Sequence, residues 1–415
     1  MKPQAPKGTA DVLPSAQPAR VAVIAALEDA AERAGYGPIT VPTFEDTSLF
    51  ARSAGDGSDV VQKEMYTFAD QGGRSLTLRP EATAQVVRAF IEHGLHRSPL
   101  PFKARYTGPM FRYAAPQKGR LREFWQVGAE AIGSDDAAID AELISVVVAA
   151  LSTLSVSGVR LDLNSIGCAA CRPGYLVELS EFLRTHDQQL DEDARARASV
   201  SPLRVFDTKN LAVRTLLEDA PLIEDHLCAA CREHFAELLE LLEALGIEFT
   251  RAPRLVRGLD YYSRTVFEFV DEELDAAQST ICAGGRYDGL VAELGGKSTP
   301  ASGFAAGVER IVLSCAQRDL ATEQPRGVDV FFAFADEAPR TELLAVLNEL
   351  RRTWVCETDY ARRSLKGQLT QASRLDARIV VLREDDRITL RARGHEDMTV
   401  QDASVLREKL KEMLS

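Results

Sequence analysis

Met110-Phe111-Arg112-Tyr113-Ala114-Ala115-Pro116-Gln117-Lys118-Gly119-Arg120-Leu121-Arg122-Glu123-Phe124-Trp125-Gln126-Val127-Gly128-Ala129-Glu130-Ala131-Ile132 is the stretch from which the rest of the chain is read. Its middle, Ala114 to Arg120, holds Pro and Gly with little that is apolar, and reads as a loop. The last part alternates with period two. Trp125, Val127, Ala129 and Ala131 fall on one face, and Arg122, Gln126, Gly128 and Glu130 on the other. Gln and Glu on a core strand are costly unless that face meets a polar ligand. Gly128 between them is expected to leave room for the ligand to approach. Arg112, on the preceding strand, with Lys118 and Arg120 on the loop, forms a set of cations suited to an anionic group such as phosphate. Taken alone, the pattern also fits an ordinary antiparallel hairpin with a solvated polar face.

The 415 residues imply two or three domains, and 45% hydrophobic with 27% charged residues is the balance of a soluble globular protein. The net charge of -13 does not advertise a nucleic-acid binder, but residues 351–393 hold 11 basic against 6 acidic residues, a local basic patch within the acidic total. Met1 to Lys7 is not followed by an apolar signal core, and the apolar run Leu143–Leu154 is too short to span a membrane. A cytoplasmic location is therefore expected. Seven cysteines then read as reduced thiols or metal ligands.

Outward from the central stretch, Pro18–Ala34 reads as an amphipathic helix ended by Gly35, followed by a short strand over Ile39–Pro42. Ser75–Leu78 reads as a strand stopped by Pro80, and Ala82–Leu95 as a helix with Glu81 just ahead of it and Thr83 in its first turn. A carboxylate there serves either the helix dipole or a ligand. Residues 168–247 read as a mostly helical insertion that contains one pentapeptide twice, Cys168-Ala169-Ala170-Cys171-Arg172 and Cys228-Ala229-Ala230-Cys231-Arg232. Beyond a linker at Thr322–Gly327, strand and helix patterns alternate through Val328–Phe334, Thr341–Arg352, Trp354–Thr358, Ser364–Leu375 and Ala377–Leu382. This is the signature of a small α/β domain.

Phe111-Arg112-Tyr113, Pro116-Gln117-Lys118-Gly119-Arg120 and Glu123-Phe124-x-Gln126 closely resemble motif 2 of the histidyl-tRNA synthetases, which are class II aminoacyl-tRNA synthetases. Further strings resemble that family in order along the chain: Thr77-Leu78-Arg79-Pro80-Glu81-x-Thr83-Ala84, Arg257-Gly258-Leu259-Asp260-Tyr261-Tyr262, Cys282-Ala283-Gly284-Gly285-Arg286-Tyr287, and Gly303-Phe304-Ala305-Ala306-Gly307-Val308-Glu309-Arg310 as motif 3. The resemblance implies an α+β catalytic domain over residues 1–325 with the antiparallel class II sheet, the helical insertion within it, and a C-terminal α/β anticodon-binding domain over 326–415. It implies a histidine–tRNA ligase that uses ATP with Mg²⁺ and works on tRNA(His) as a homodimer built through motif 1. By the same resemblance Glu81, Thr83, Gln126, Glu130, Tyr261, Tyr262 and Tyr287 bind histidine, with Arg257 near its carboxylate. Arg112, Arg120 and Arg310 bind ATP, and Arg257 and Arg112 act in catalysis. The chain departs from the family at Ala114-Ala115, Ala82 and Arg362, the last two standing where members have Gly. The alternative is a synthetase-like regulatory subunit of histidine biosynthesis that binds histidine without charging tRNA.

The cysteines stand outside that shared chemistry. Two Cys-x-x-Cys pairs match the ligand pairing of tetrahedral Cys₄ sites, so Cys168, Cys171, Cys228 and Cys231 are expected to hold one structural Zn²⁺; the other reading is four reduced thiols.

Overall fold

The central stretch holds the last two residues of one long strand and all ten of the long antiparallel strand that follows it, in the larger of two units, Met1–Glu323 and Gln324–Ser415. The computed structural model describes residues 2–54, 60–115, 119–208, 210–274, 279–320, 327–335, 338–385 and 387–414. Within the first unit the strands are β1 (Gly37–Pro38), β2 (Phe44–Asp46), β3 (Tyr66–Ala69), β4 (Ser75–Leu78), β5 (Phe102–Phe111), β6 (Glu123–Ile132), β7 (Val159–Ser165), β8 (Thr250–Arg251), β9 (Ser263–Asp271), β10 (Thr280–Arg286) and β11 (Ala301–Gly307). Eight of them form one sheet in the order β1-β5-β6-β11-β10-β9-β7-β8. It is antiparallel except for the parallel pairs β1/β5 and β7/β8 at its edges. β2, β4 and β3 make a small antiparallel sheet of their own.

The helices of this unit are α1 (Gln17–Arg33), α2 (Thr47–Ala54), α3 (Thr83–Glu92), α4 (Ala137–Thr153), α5 (Arg172–Thr185), α6 (Glu192–Val200), α7 (Leu211–Leu216), α8 (Ala229–Ala244), α9 (Leu290–Glu293) and α10 (Val308–Gln317). One core gathers Val127, Ala129 and Ala131 of β6 with Leu27 of α1, Ile144 and Val147 of α4, Leu238 of α8 and Ile311 of α10. That is the apolar set of the alternating strand, packed under helices. The other set does not face water either. Val127 to Ile132 are all buried, which excludes the hairpin with a solvated face. A second core takes in Tyr106, Tyr261, Tyr262 and Tyr287 together with Val86 and Phe90 of α3 and the buried residues of the helices between the cysteine pairs, such as Tyr175, Leu179 and Leu183. Those three recur every four residues along α5, one face of a helix.

The short strand expected over Ile39–Pro42 is displaced. Pairing occurs at Gly37–Pro38 with β5 and resumes at Phe44–Asp46 with β4, leaving Ile39–Pro42 as the link between the two sheets. Pro42 has no N–H to give to a ladder.

The second unit is a five-stranded sheet of β12 (Val330–Phe334), β13 (Cys356–Thr358), β14 (Ile379–Glu384), β15 (Arg387–Ala392) and β16 (Met398–Val400), in the order β13-β12-β14-β15-β16. β12 is parallel to both neighbours and buried along its whole length, as a central strand with two covered faces must be. Helices α11 (Thr341–Leu350) and α13 (Ala403–Leu414) cover one face. Helix α12 (Leu365–Arg374) covers the other with Ala372, and its buried Gln368 side chain bonds both the N–H and the C=O of Phe334. β14 falls on the last strand read from sequence, over Ala377–Leu382, while β15, its antiparallel partner, β16 and α13 lie beyond that alternation.

Candidate active site

On the face of the large sheet opposite α1 and α4 lies a cavity of about 230 Å³. Glu81, Thr83, Arg112, Arg120, Gln126, Glu130, Arg257, Tyr261, Tyr262, Tyr287 and Arg310, all the histidine- and ATP-directed residues expected from sequence, line it. They fall into two chemically distinct groups.

The first group centres on Glu130, only 1% exposed. Its Oε1 accepts the Thr83 hydroxyl at 2.8 Å and the Tyr106 hydroxyl at 3.4 Å, and its Oε2 accepts the hydroxyl of Tyr287. A carboxylate offers about four acceptor sites, so one remains. Burial pushes the Glu130 carboxyl up to about 8, and the neighbouring charge of Glu81 adds to the push against the hydroxyl donors. The backbone makes room for it: Gly303 pairs with Glu130 across β11/β6, and a Cβ there would sit 1.7 Å from Glu130 Oε2. Glu81 caps α3, accepting the N–H groups of Thr83 at 2.6 Å and Ala84 at 3.1 Å, so it serves the helix end while lining the cavity. Its carboxyl too is raised by burial. Ala82 takes a negative φ of -116°, a conformation that does not need the family's Gly. Gln126 Oε1 is buried with no partner among the described residues.

One expectation is corrected here. Gly128 does not make room for a ligand. A Cβ at Gly128 would meet the Tyr106 hydroxyl and ring at 2.3 Å, so the space belongs to Tyr106, its partner in register on β5. Tyr106 is thus a lining residue that the sequence reading missed. Only the strand register exposes it, and one sequence does not state the register.

The second group is cationic. Arg112 donates to the Pro80 carbonyl at 2.9 Å and lies 5.4 Å from the centre of the Phe124 ring. Arg120 pairs with Glu64 at 2.9 Å. Arg257 pairs with Glu268, which also accepts the Thr280 hydroxyl at 2.8 Å. Arg310 donates to the Thr280 carbonyl at 2.5 Å. Burial pulls Arg310 down to about 10, and the charges of Arg112, Arg120 and Arg257 push in the same direction. Four guanidiniums that repel one another in a partly dry cavity form a site that an anion relieves. Glu309 stands beside Arg310 at the start of α10. It also lines the cavity, and its carboxylate accepts the Trp125 N–H at 3.0 Å. Lys118 falls outside the described residues. Arg122 bonds the Ala114 carbonyl and stacks over Tyr113.

Away from the cavity, Cys168, Cys171, Cys228 and Cys231 meet, with all four Sγ atoms within 4.8 Å of one another. Cys168 Sγ lies 3.6 Å from that of Cys171 and 3.9 Å from that of Cys228, and Cys171 Sγ accepts the Cys228 N–H at 3.1 Å. These spacings are far beyond the ~2.05 Å of a disulfide. They match the edge of about 3.8 Å in a tetrahedron of thiolates around a zinc ion at about 2.3 Å. Burial raises the Cys168 thiol, but the N–H groups of Ala170 and Cys171 and the thiols of Cys171 and Cys231 together bring it down to about 7.

A largely antiparallel sheet flanked by helices, with a motif 2 arginine and a motif 3 arginine brought into one cavity, defines a class II aminoacyl-tRNA synthetase. The family profile described as Histidyl-tRNA synthetase matches residues 8–311. The chain is 50% identical to the histidine–tRNA ligase of Saccharopolyspora erythraea over 92% of this chain and 91% of that protein. It is 48% identical to the one from Corynebacterium urealyticum over 92% and 90%. Among solved structures, apo histidyl-tRNA synthetase of S. aureus superposes with a TM-score of 0.81 at 33% identity, covering 99% of this chain and all of that one. A Bacillus halodurans protein described as an ATP phosphoribosyltransferase regulatory subunit/histidyl-tRNA synthetase shares the fold at 21% identity, with a TM-score of 0.65 over 92% of this chain and 99% of that one. The chain belongs to the histidyl-tRNA synthetase family. Its activity is that of a histidine–tRNA ligase, and the regulatory alternative is not favoured.

Proposed function

We propose that the cavity joins histidine to ATP, giving histidyl-adenylate and pyrophosphate, and then transfers the histidyl group to the 3′-terminal adenosine of tRNA(His). The observation that carries the assignment of residues is the junction, in one cavity, of a buried carboxylate with one acceptor site to spare and a cluster of four arginines. An imidazole N–H fits the remaining acceptor of Glu130, while the phenols of Tyr261, Tyr262 and Tyr287 close around the ring. The unpartnered Gln126 Oε1, with Glu81 and Thr83, suits the substrate ammonium.

The histidine carboxylate attacks the α-phosphorus, the bond to pyrophosphate breaks, and negative charge gathers on the phosphate oxygens. Arg112 and Arg257 stabilise that charge, and Arg120 and Arg310 hold the outer phosphates. These are fixed, permanently charged donors, and positioning with electrostatics suffices without a covalent nucleophile. ATP brings Mg²⁺, which offsets phosphate charge. Glu309, which lines the cavity, would be the protein's oxygen donor to it. The second unit serves as the anticodon-binding domain, and the enzyme works as a cytoplasmic homodimer. No helix among the described residues is long and apolar enough to cross a membrane.

The deciding experiment is histidine-dependent charging of tRNA, with Glu130→Ala as control. That variant should stay folded and lose histidine-dependent ATP–pyrophosphate exchange; unchanged exchange would sink the assignment of Glu130.

The four cysteines hold one structural Zn²⁺ in this reading. Elemental analysis of protein purified without chelator should give one zinc per chain. Well under one, with all four thiols freely titratable, refutes the site.

A further inference from the structure

Each cysteine pair is followed by an arginine, and the two arginines behave differently. Arg232 turns back onto the Leu227 carbonyl beside its own pair. Arg172 reaches away. Its guanidinium donates to the Ile166 carbonyl at 3.3 Å and to the carbonyl of Tyr262. Tyr262 lines the cavity, with its ring centre 4.7 Å from that of Tyr261. Neither Arg172 nor any of the four cysteines lines it.

The two segments are tied along their backbones as well. Ile166 N–H donates to the Arg264 carbonyl at 2.7 Å, and Arg264 N–H donates to the Gly167 carbonyl at 2.8 Å. Gly167, with φ at +63°, stands so close that a Cβ would lie 2.7 Å from Cys171 Cβ. The turn from Ile166 to Arg172 therefore runs from the end of β7 straight into the cysteine cluster, with residues 262–264 bonded to it at both ends. Further along the insertion, buried Arg204 donates to the Gly258 carbonyl at 3.2 Å and to Asp260 at 2.8 Å, which holds the start of the same loop. In free thiol form the turn carrying Arg172 is held on its cysteine side by the Cys171 and Arg172 N–H groups on the Cys168 carbonyl, at 3.0 and 3.2 Å, and by the Cys228 N–H on Cys171 Sγ, bonds that leave the four sulfurs unjoined. A metal bonded to all four sulfurs would fix the position of Cys171 and, with it, the root of the next residue.

Resting on the zinc reading above, we propose that the metal-filled cysteine cluster positions the histidine pocket from outside: it fixes the 166–172 turn, and Arg172 passes that position to the backbone of Tyr262. Arg172 is a positioning residue, and metal occupancy sets histidine affinity.

The test uses the full-length, zinc-loaded protein and histidine-dependent ATP–pyrophosphate exchange. Losing a hydrogen bond from a charged donor predicts a rise of roughly 10- to 100-fold in KM for histidine in Arg172→Ala. KM for ATP and kcat should stay within about threefold, and zinc should remain at one per chain. Arg172→Lys keeps the charge but cannot span both carbonyls, and should fall between; it carries the test if the alanine variant does not fold. Stripping zinc from the wild type should raise KM for histidine in the same way, and stripping it from Arg172→Ala should add little, because the route is already cut. A zinc-loaded Arg172 variant with unchanged KM for histidine overturns the coupling and leaves the metal site standing. A wild type that keeps full histidine affinity after its zinc is stripped likewise overturns the coupling alone, whereas protein purified without chelator that holds no zinc overturns the metal reading and the proposal with it.

Discussion

Glu130→Gln tests the centre of the site in one substitution. Glu130 is held in the folded protein with its carboxyl raised from 4.5 to about 8, so the folded state binds this proton more tightly than the unfolded chain. The ionised form is therefore penalised. The penalty is absent below about pH 4.5, grows through the window up to 8, and is complete above it. At about 1.4 kcal/mol per tenfold change in proton affinity, its ceiling is on the order of 5 kcal/mol at pH 9. Glutamine cannot ionise and removes that term. It brings its own cost, because its NH₂ group must face one of the hydroxyl donors, Thr83 or Tyr287, worth roughly 1–3 kcal/mol. Without histidine, then, the variant should be less stable than the wild type near pH 5 and more stable at pH 9. Denaturant midpoints of both proteins at the two pH values read this directly. Function should move the other way. The amide would meet the imidazole N–H with a second donor, and kcat/KM for histidine should drop at least about 100-fold. A stability difference between the two proteins that is the same at pH 5 and pH 9 would refute the account of a carboxyl whose ionised form is penalised by burial.

Arg257→Ala should lower kcat for adenylation by roughly 10²–10³ while raising KM for histidine far less, measured by pyrophosphate exchange; a pure KM effect would make it a ground-state binding residue. A chain ending near Gln324, where the two units part, should still form adenylate but charge tRNA poorly at low tRNA concentration; intact charging would refute the anticodon role of the second unit. Arg362 sits at φ +52°, a left-handed conformation that favours glycine, so Arg362→Gly should stabilise the second unit by roughly 0.5–1 kcal/mol in thermal unfolding; a loss of stability would show that the arginine side chain contributes more than its backbone costs.

Gly128 and Gly303 show what a single sequence can and cannot disclose. Along one strand the period-two pattern is complete in itself. Trp125, Val127, Ala129 and Ala131 had to share a face whatever lay beside them, so the polar row of Gln126 and Glu130 on the other face was legible from the chain alone, while its enclosure was not. What stands across from that row is a matter of register, which pairs Tyr106 with Gly128 and Gly303 with Glu130. Glycine is ambiguous for that reason: it marks a close approach without naming what approaches. At Gly303 the approaching group is Glu130 itself, and at Gly128 it is Tyr106, so both glycines serve the pocket wall and neither leaves space for the substrate. The cysteines illustrate the same limit from the other side. Spacing within each pair was readable, but 56 residues separate the pairs, and only the fold of the insertion brings Cys168 within 3.9 Å of Cys228. The contact from Arg172 to the Tyr262 carbonyl lay further still from sequence reading, because a main-chain carbonyl has no side-chain identity to betray it. Side-chain chemistry is written along the chain, whereas the partners that aim it are written across the sheet. A family motif therefore marks the residues that touch substrate sooner than those that hold them in place.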